Sequence, residues 1–484
     1  MPGRGIRQFF LFPCTKRHRN RSENLPQSEN VRLLVRKHAC KTRCALWRKQ
    51  ISHDVNLHRK EDFMTTASKR IPISERIGYS EILDPKFKTN ALKICFFQPL
   101  SKETAAACAL ASDLVTSSSK AYPTNAVMSQ KLHLLYGADL GSSVSKQGDL
   151  QLITLRASAI ADRYALEQEP VFDTLLEILL GCILEPNAKD GAFQETEFAI
   201  KKEELLANID AEINEKRQYA IQQTGKTAYQ GEPAALSCYG TREDAKVLTP
   251  EFVYTAFQNL LQTAQIEIFF VGPEARPELV GRLREAFAAL PTAPAKNIAY
   301  YTPSPAKAEP VTVREALPVN QCKMVMAWKT ANPDRYAVKL MALILGGTPS
   351  SKLFANVREK MSLCYYCAAN YIETKQTMLV DCGIETENIE KTKTAIAAQL
   401  DALRSGEIAE EELESALMTI HNTMQGVGDT PSSYVSWYLG QLCRGTALTP
   451  TEEEQAYRKV TTAQIMEAAK SMQLDTIYIM ECKA

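Results

Sequence analysis

The chain has 484 residues, enough for two to four domains with ample core. Apolar residues make up 45% and charged residues 23%, the balance of a soluble globular protein, and no apolar run approaches the 18 or so residues needed to span a bilayer. The net charge of +1 conceals an asymmetry: residues 1–63 carry 15 Lys and Arg against 5 Asp and Glu (+10), and residues 64–484 carry 42 against 51 (−9), so the body offers no nucleic-acid footprint.

Residues 1–63 differ in kind from the rest. They hold four of the six histidines (His18, His38, His53, His58), no Tyr and no sustained hydrophobic period. Phe9–Phe12 is too short for a signal-peptide core, and five acidic residues interrupt what could otherwise be a transit peptide. The group His38, Cys40, Cys44 lacks the paired spacing of a metal site. The expectation is a disordered basic extension ahead of a true start at Met64, since MTTASKRIPISERIGY reads as an ordinary beginning.

The body, 64–484, repeats itself. The first half (64–289) predicts a strand at 91–97, helices at about 103–118 and 129–136, strands at 141–147 and 150–157, and a long amphipathic helix from near Gln168. A charged helix over 201–214 follows, its acidic pairs read as a solvated face. Thr249-Pro-Glu-Phe signals a capped helix start leading to a strand at 266–271. Residues 290–311, rich in Pro, read as a linker. The second half (312–484) predicts a strand at 323–328, helices at about 333–345 and 352–360, strands at 363–371 and 377–384, and a helix at 388–403. It closes with a helix from Thr462 and a strand at 476–480. Each half reads strand–helix–helix–strand–strand–helix, then further helices and a last strand. That is α+β: an antiparallel sheet with helices on one face, twice over.

The 13 cysteines are odd in number, and Cys95, Cys108, Cys182 and Cys443 fall in apolar segments. They read as buried thiols of a cytoplasmic protein rather than a disulfide framework. Cys364-Tyr-Tyr-Cys367 has redox spacing, but on a regular strand positions i and i+3 point to opposite faces, which argues against a pair.

Gly346–Tyr366, GGTPSSKLFANVREKMSLCYY, is the most informative stretch. With the duplicated halves it resembles the M16 (insulinase-like) zinc peptidases, over roughly residues 66–484. LYGADL at 135–140 and SSKLFANVREKMSLCYY at 350–366 look more narrowly like a bacterial M16-like subfamily associated with 5-aminopentanol modification of elongation factor P. The resemblance implies two LuxS/mitochondrial-processing-peptidase-like domains forming half of a clamshell. It also implies that Arg358 and Tyr365, seven residues apart, bind substrate backbone and polarise a scissile carbonyl, a task suited to a guanidinium and a phenol.

The family's zinc-binding HxxEH appears nowhere in the chain. Where it belongs, on the helix at about 103–118, the resemblance places Ala109, Ser112 and Asp113, and it places approximately Asn208 at the third-ligand position. Ala109 cannot bind a metal, Ser112 cannot act as a carboxylate base, and Asp113 is alone. The body's two histidines, His133 and His421, sit in different halves without ligand spacing and read as surface or satisfied core residues. The resemblance therefore implies a chain that binds no cofactor and is inactive alone: the non-zinc subunit of a heterodimeric peptidase. Zinc would come from a partner with an intact HxxEH, and the substrate would be a peptide or unfolded polypeptide, with no nucleic acid or membrane involved. Two other readings are a non-catalytic scaffold or chaperone in elongation factor P modification, and a mitochondrial processing-peptidase α-type subunit. The second needs a glycine-rich loop, for which Gln425-Gly-Val-Gly-Asp is the only candidate.

Overall fold

The computed structural model describes residues 69–288, 290 and 298–483, and the expectations for residues 1–63 lie outside these. Residues 66–484 form one compact unit. In the first half the strands are β1 (Lys69–Ser74), β2 (Ile77–Leu83), β3 (Thr89–Pro99), β4 (Asp139–Gln147), β5 (Leu150–Ile160), the short hairpin β6 (Ala188–Lys189) and β7 (Ala192–Phe193), and β8 (Gln265–Gly272). The second half contributes β9 (Val311–Leu317), β10 (Cys322–Lys329), β11 (Cys364–Ile372), β12 (Thr377–Ile384) and β13 (Gln473–Cys482).

The two main sheets have the same topology. One runs β1-β2-β8-β3-β5-β4 and the other β11-β12-β10-β13-β9. Reversing the second gives β9-β13-β10-β12-β11, which matches β2-β8-β3-β5-β4 strand for strand. All pairs are antiparallel except β2 with β8 and β9 with β13, the corresponding pair in each half. The duplication read from the sequence is thus a duplication of fold. The sequence pattern starts the first half two strands late, at β3, and the second half one strand late, at β10. β9 alternates between exposed and half-buried residues, and β1 carries Pro72, so neither gives a strong apolar signal.

One face of each sheet is covered by helices of its own half. In the first half these include α1 (Ala105–Ser117), the long apolar α2 (Val171–Leu184) and α3 (Pro250–Thr263). The Thr249 hydroxyl accepts from the Phe252 amide, which is the predicted cap. In the second half α4 (Arg335–Gly346) and α5 (Ile389–Arg404) take these places.

The opposite faces are covered by exchange. The first-half helix Lys216–Ala228 lays Ala220, Ala228 and neighbouring Tyr229 on Val325, Ala327, Leu379, Tyr478 and Met480 of the second sheet. The second-half helix Pro431–Arg444 lays Val435 and Cys443 on Ile82, Cys95, Phe97, Phe269 and Val271 of the first. Ile298, Tyr300 and Tyr301, within the stretch read as a linker, pack into this second cluster. Each half therefore completes the other's core.

Candidate functional site

The positions matched to HxxEH lie on α1, which is buried on nearly every side. Ala109 and Ser112 are each 2% exposed. The Ser112 hydroxyl donates to the Ala109 carbonyl at 2.8 Å, a bond within its own helix. Asp113 is partly exposed, and its Oδ1 accepts from the Ser142 hydroxyl at 2.5 Å, tying α1 to the edge strand β4. Asn208 is exposed on the helix Glu195–Ala211, whose buried residues are Phe198, Leu205 and Leu206. A methyl group, a hydroxyl spent on its own backbone and one occupied carboxylate do not fit a tetrahedral zinc site. Among the described residues no group of three His, Cys, Asp or Glu is placed to hold a metal. His133 Nδ1 lies 2.6 Å from the Ser129 carbonyl, and His421 Nδ1 lies 3.0 Å from a Glu454 carboxylate oxygen; each is locally partnered.

Arg358 and Tyr365 come together. The segment Leu353–Lys360, read from the sequence as a helix, is a π-helix, a form that recurs at functional sites. It presents Arg358 with the guanidinium 4.4 Å from the Phe354 ring centre and 3.6 Å from a Glu359 carboxylate oxygen. Just before it, the end of α4 runs hard against β11. A Cβ on Gly346 would sit 2.6 Å from the Ala369 amide nitrogen, so only glycine permits this approach.

Tyr365 is aimed by an irregularity in the sheet. Cys364 pairs with Ile384 and Tyr366 with Gly383, leaving Tyr365 as the extra residue of a β-bulge. It is 63% exposed, and its hydroxyl donates to Glu385 at 3.0 Å. That bond and the carboxylate charge raise the phenol's pKa, keeping it a proton donor. Arg358, Glu359, Cys364, Tyr365, Glu385 and Asn388 line one open cavity of about 450 Å³.

The bulge also corrects the reading of the thiols. Because Tyr365 is looped out of register, Cys364 and Cys367 fall on the same helix-facing side, together with Ala369 and Tyr371. The two thiols interact: their mutual hydrogen bond lowers the pKa of Cys364 and raises that of Cys367.

Glu385 and Ser142 escaped the sequence reading. Glu385 immediately follows β12, but its approach to Tyr365 depends on strand register, which no local pattern reveals.

The fold and this cavity can now be set beside known proteins. The family described as Peptidase M16 inactive domain matches residues 248–420, which include Arg358 and Tyr365. The probable inactive metalloprotease YmfF of Bacillus subtilis (strain 168) is 27% identical over 403 residues, covering 82% of this chain and 93% of that protein. A conserved protein from Enterococcus faecalis V583 superposes with a TM-score of 0.80 at 27% identity, over 86% of this chain and 99% of that one. The peptidase M16 inactive domain from Pseudomonas fluorescens shares the fold, with a TM-score of 0.69 at 18% identity over 86% and 98% of the two chains. Over residues 248–420 the chain thus matches an M16 peptidase domain described as inactive, and it shares the fold of such a domain. Its sequence carries no HxxEH, and its fold is α+β in two repeated halves, consistent with half of a clamshell.

Proposed function

We propose that this chain is the non-zinc subunit of a heterodimeric M16-type peptidase. One observation carries the reading: Arg358 and Tyr365 share a single open cavity, while the matched ligand positions hold Ala109, Ser112 and Asp113. In this reading a sister M16 chain with an intact HxxEH supplies zinc and general base. This chain supplies half of the chamber wall and two donors for the carbonyl of a peptide or unfolded polypeptide. The guanidinium would hold substrate backbone, and the phenol would stabilise the oxygen that gains charge. To do so the phenol must give up its bond to Glu385, so substrate and Glu385 compete for one proton. The description of the Bacillus subtilis relative as a probable inactive metalloprotease supports a chain with no activity of its own.

The test is co-purification from native cells followed by reconstitution. The isolated chain is expected to hold no stoichiometric zinc and to cleave nothing, and a partner bearing HxxEH is expected to restore zinc-dependent cleavage. Arg358→Ala or Tyr365→Phe should then lower kcat by on the order of 10²-fold while leaving the pair assembled. Zinc-dependent cleavage by the isolated chain would sink the reading. Unchanged kcat in both variants would favour the non-catalytic scaffold, the role expected of a member serving elongation factor P modification.

A further inference from the structure

Apart from Cys364, Cys367 and the Cys382 that faces Cys367 across the strands, the second sheet holds two thiols that the peptidase reading does not use. Cys322 opens β10 and Cys482 closes the neighbouring strand β13. Their Sγ atoms are 3.5 Å apart, in van der Waals contact. Cys322 is fully buried, whereas Cys482 is only half-buried, so one member of the pair can be reached from solvent. Cys322 Sγ also lies 3.3 Å from the Thr386 hydroxyl, in the turn Thr386–Asn388 that directly follows Glu385.

We propose that Cys322 and Cys482 form a reversible disulfide, a redox-modification site that joins the two ends of the second half beside the turn carrying Glu385. Neighbouring strands run about 4.8 Å apart, so rotation of the side chains can close a 3.5 Å sulfur gap to bonding distance without moving the backbone. Cys364 and Cys367 are less suited. They are same-face neighbours along one strand, roughly 6.7 Å apart at Cα, at the upper limit for a bridge.

The oxidant fitting this pair is a small-molecule disulfide. The Cys482 thiolate attacks one of its sulfurs, forming a mixed disulfide and releasing one small thiolate. The Cys322 thiolate then attacks the Cys482 sulfur, and the second small thiolate leaves. The thiolates take up the two protons that the cysteines lose. Two protein thiols and one disulfide thus become one protein disulfide and two small thiols. Burial, then the Cys322 thiol, raises the Cys482 pKa, which makes the pair a slow equilibrium site rather than a fast peroxide trap. Closure takes Cys322 away from Thr386 and so alters the footing of the turn next to Glu385, the acceptor that holds Tyr365.

The full chain should be equilibrated across ratios of reduced to oxidised glutathione, acid-quenched, alkylated and mapped by mass spectrometry. The expected result is a peptide pair joined through Cys322 and Cys482 that reaches at least half of the molecules as the ratio falls and disappears on adding excess thiol. The oxidised form, with a loop spanning 160 positions closed, should melt a few degrees higher. Cys482→Ser, at a half-buried strand end, should abolish the crosslink and the melting shift together while the alkylation of the other cysteines stays as before. Full alkylation of Cys322 and Cys482 in oxidised glutathione alone would overturn the proposal. A crosslink between Cys364 and Cys367 in its place would do the same.

Discussion

At the scale of single residues, the positions matched to the zinc motif are taken up by packing and by local hydrogen bonds. Ala109 is shut in at 2% exposure, Ser112 bonds to its own helix, and Asp113 is spent on Ser142. Restoring the motif by Ala109→His, Ser112→Glu and Asp113→His should therefore not restore a metal site. An imidazole in place of a buried methyl overpacks α1 and costs about 1–3 kcal/mol. Asn208, at about the third-ligand position, is exposed and carries an amide in place of a carboxylate. Urea denaturation should show that loss, and metal analysis after zinc loading should find less than stoichiometric zinc. Tight one-to-one zinc in the triple variant would show that the site is merely unoccupied by ligands rather than filled in. The loss of HxxEH was legible in the sequence, because a missing motif is a matter of residue identity. Glu385 was not: it meets Tyr365 across 20 residues of chain, through a register that only the folded sheet defines.

At the scale of elements, two β-bulges set side chains that a regular strand would place elsewhere. One loops out Tyr365. The other lies on β13, where Thr476 pairs with Ala327 and Leu474 with Trp328, leaving Asp475 as the extra residue. Sequence patterning placed both strands but assumed strict alternation, so it put Cys364 and Cys367 on opposite faces. A bulge adds one residue and restores the alternation beyond it, which predicts an unusual tolerance. Deleting Tyr365 joins Cys364 directly to Tyr366 and leaves every later residue of β11 on its present face. The deletion should change folding stability by no more than about 1 kcal/mol, because the bulged residue forms no regular pair in the ladder. Yet it removes the phenol from the cavity as fully as any substitution. Equilibrium unfolding decides the matter: a loss of several kcal/mol would mean that the bulge serves the fold and not only the site. The π-helix bearing Arg358 was equally invisible, since a π-helix and an α-helix draw on the same residues.

At the scale of the whole molecule, the exchange of helices makes two repeated domains into one unit. The duplication was legible in the order of elements, but the exchange was not read, although a signal existed. β8 is buried at every position but the first and β12 at every position, where a one-faced sheet would alternate. Polar contacts lock the same junction. Arg217, from the exchanged first-half helix, pairs with Asp381 of β12 at 2.5 Å. Lys375, 2% exposed, reaches back to Asp149 at 3.1 Å and Glu232 at 2.5 Å.

The deepest of these links is Asp475, fully buried at its bulge. It accepts from Lys307 Nζ at 2.8 Å and from the Thr476 hydroxyl at 2.7 Å, and it lies 3.3 Å from Lys329 Nζ. Lys329 in turn donates to the carbonyl of Ala228, the last residue of the exchanged helix, at 2.7 Å. Burial alone would raise the Asp475 pKa, but the bonds from Lys307 and Thr476 outweigh it and hold the carboxyl below its ordinary 3.8. A carboxylate depressed in the folded state contributes stability above its unfolded pKa, and that contribution is lost as pH falls through the folded value. Asp475→Asn leaves Lys329 buried without its counter-charge and should cost about 3 kcal/mol at neutral pH. Below both pKa values the wild-type carboxyl is itself neutral, so the two proteins should converge there. Urea unfolding of both, followed from pH 7 down to about pH 2, should show the gap closing only below about pH 4. A gap that stays constant across that range would mean that Asp475 acts by packing and not by charge.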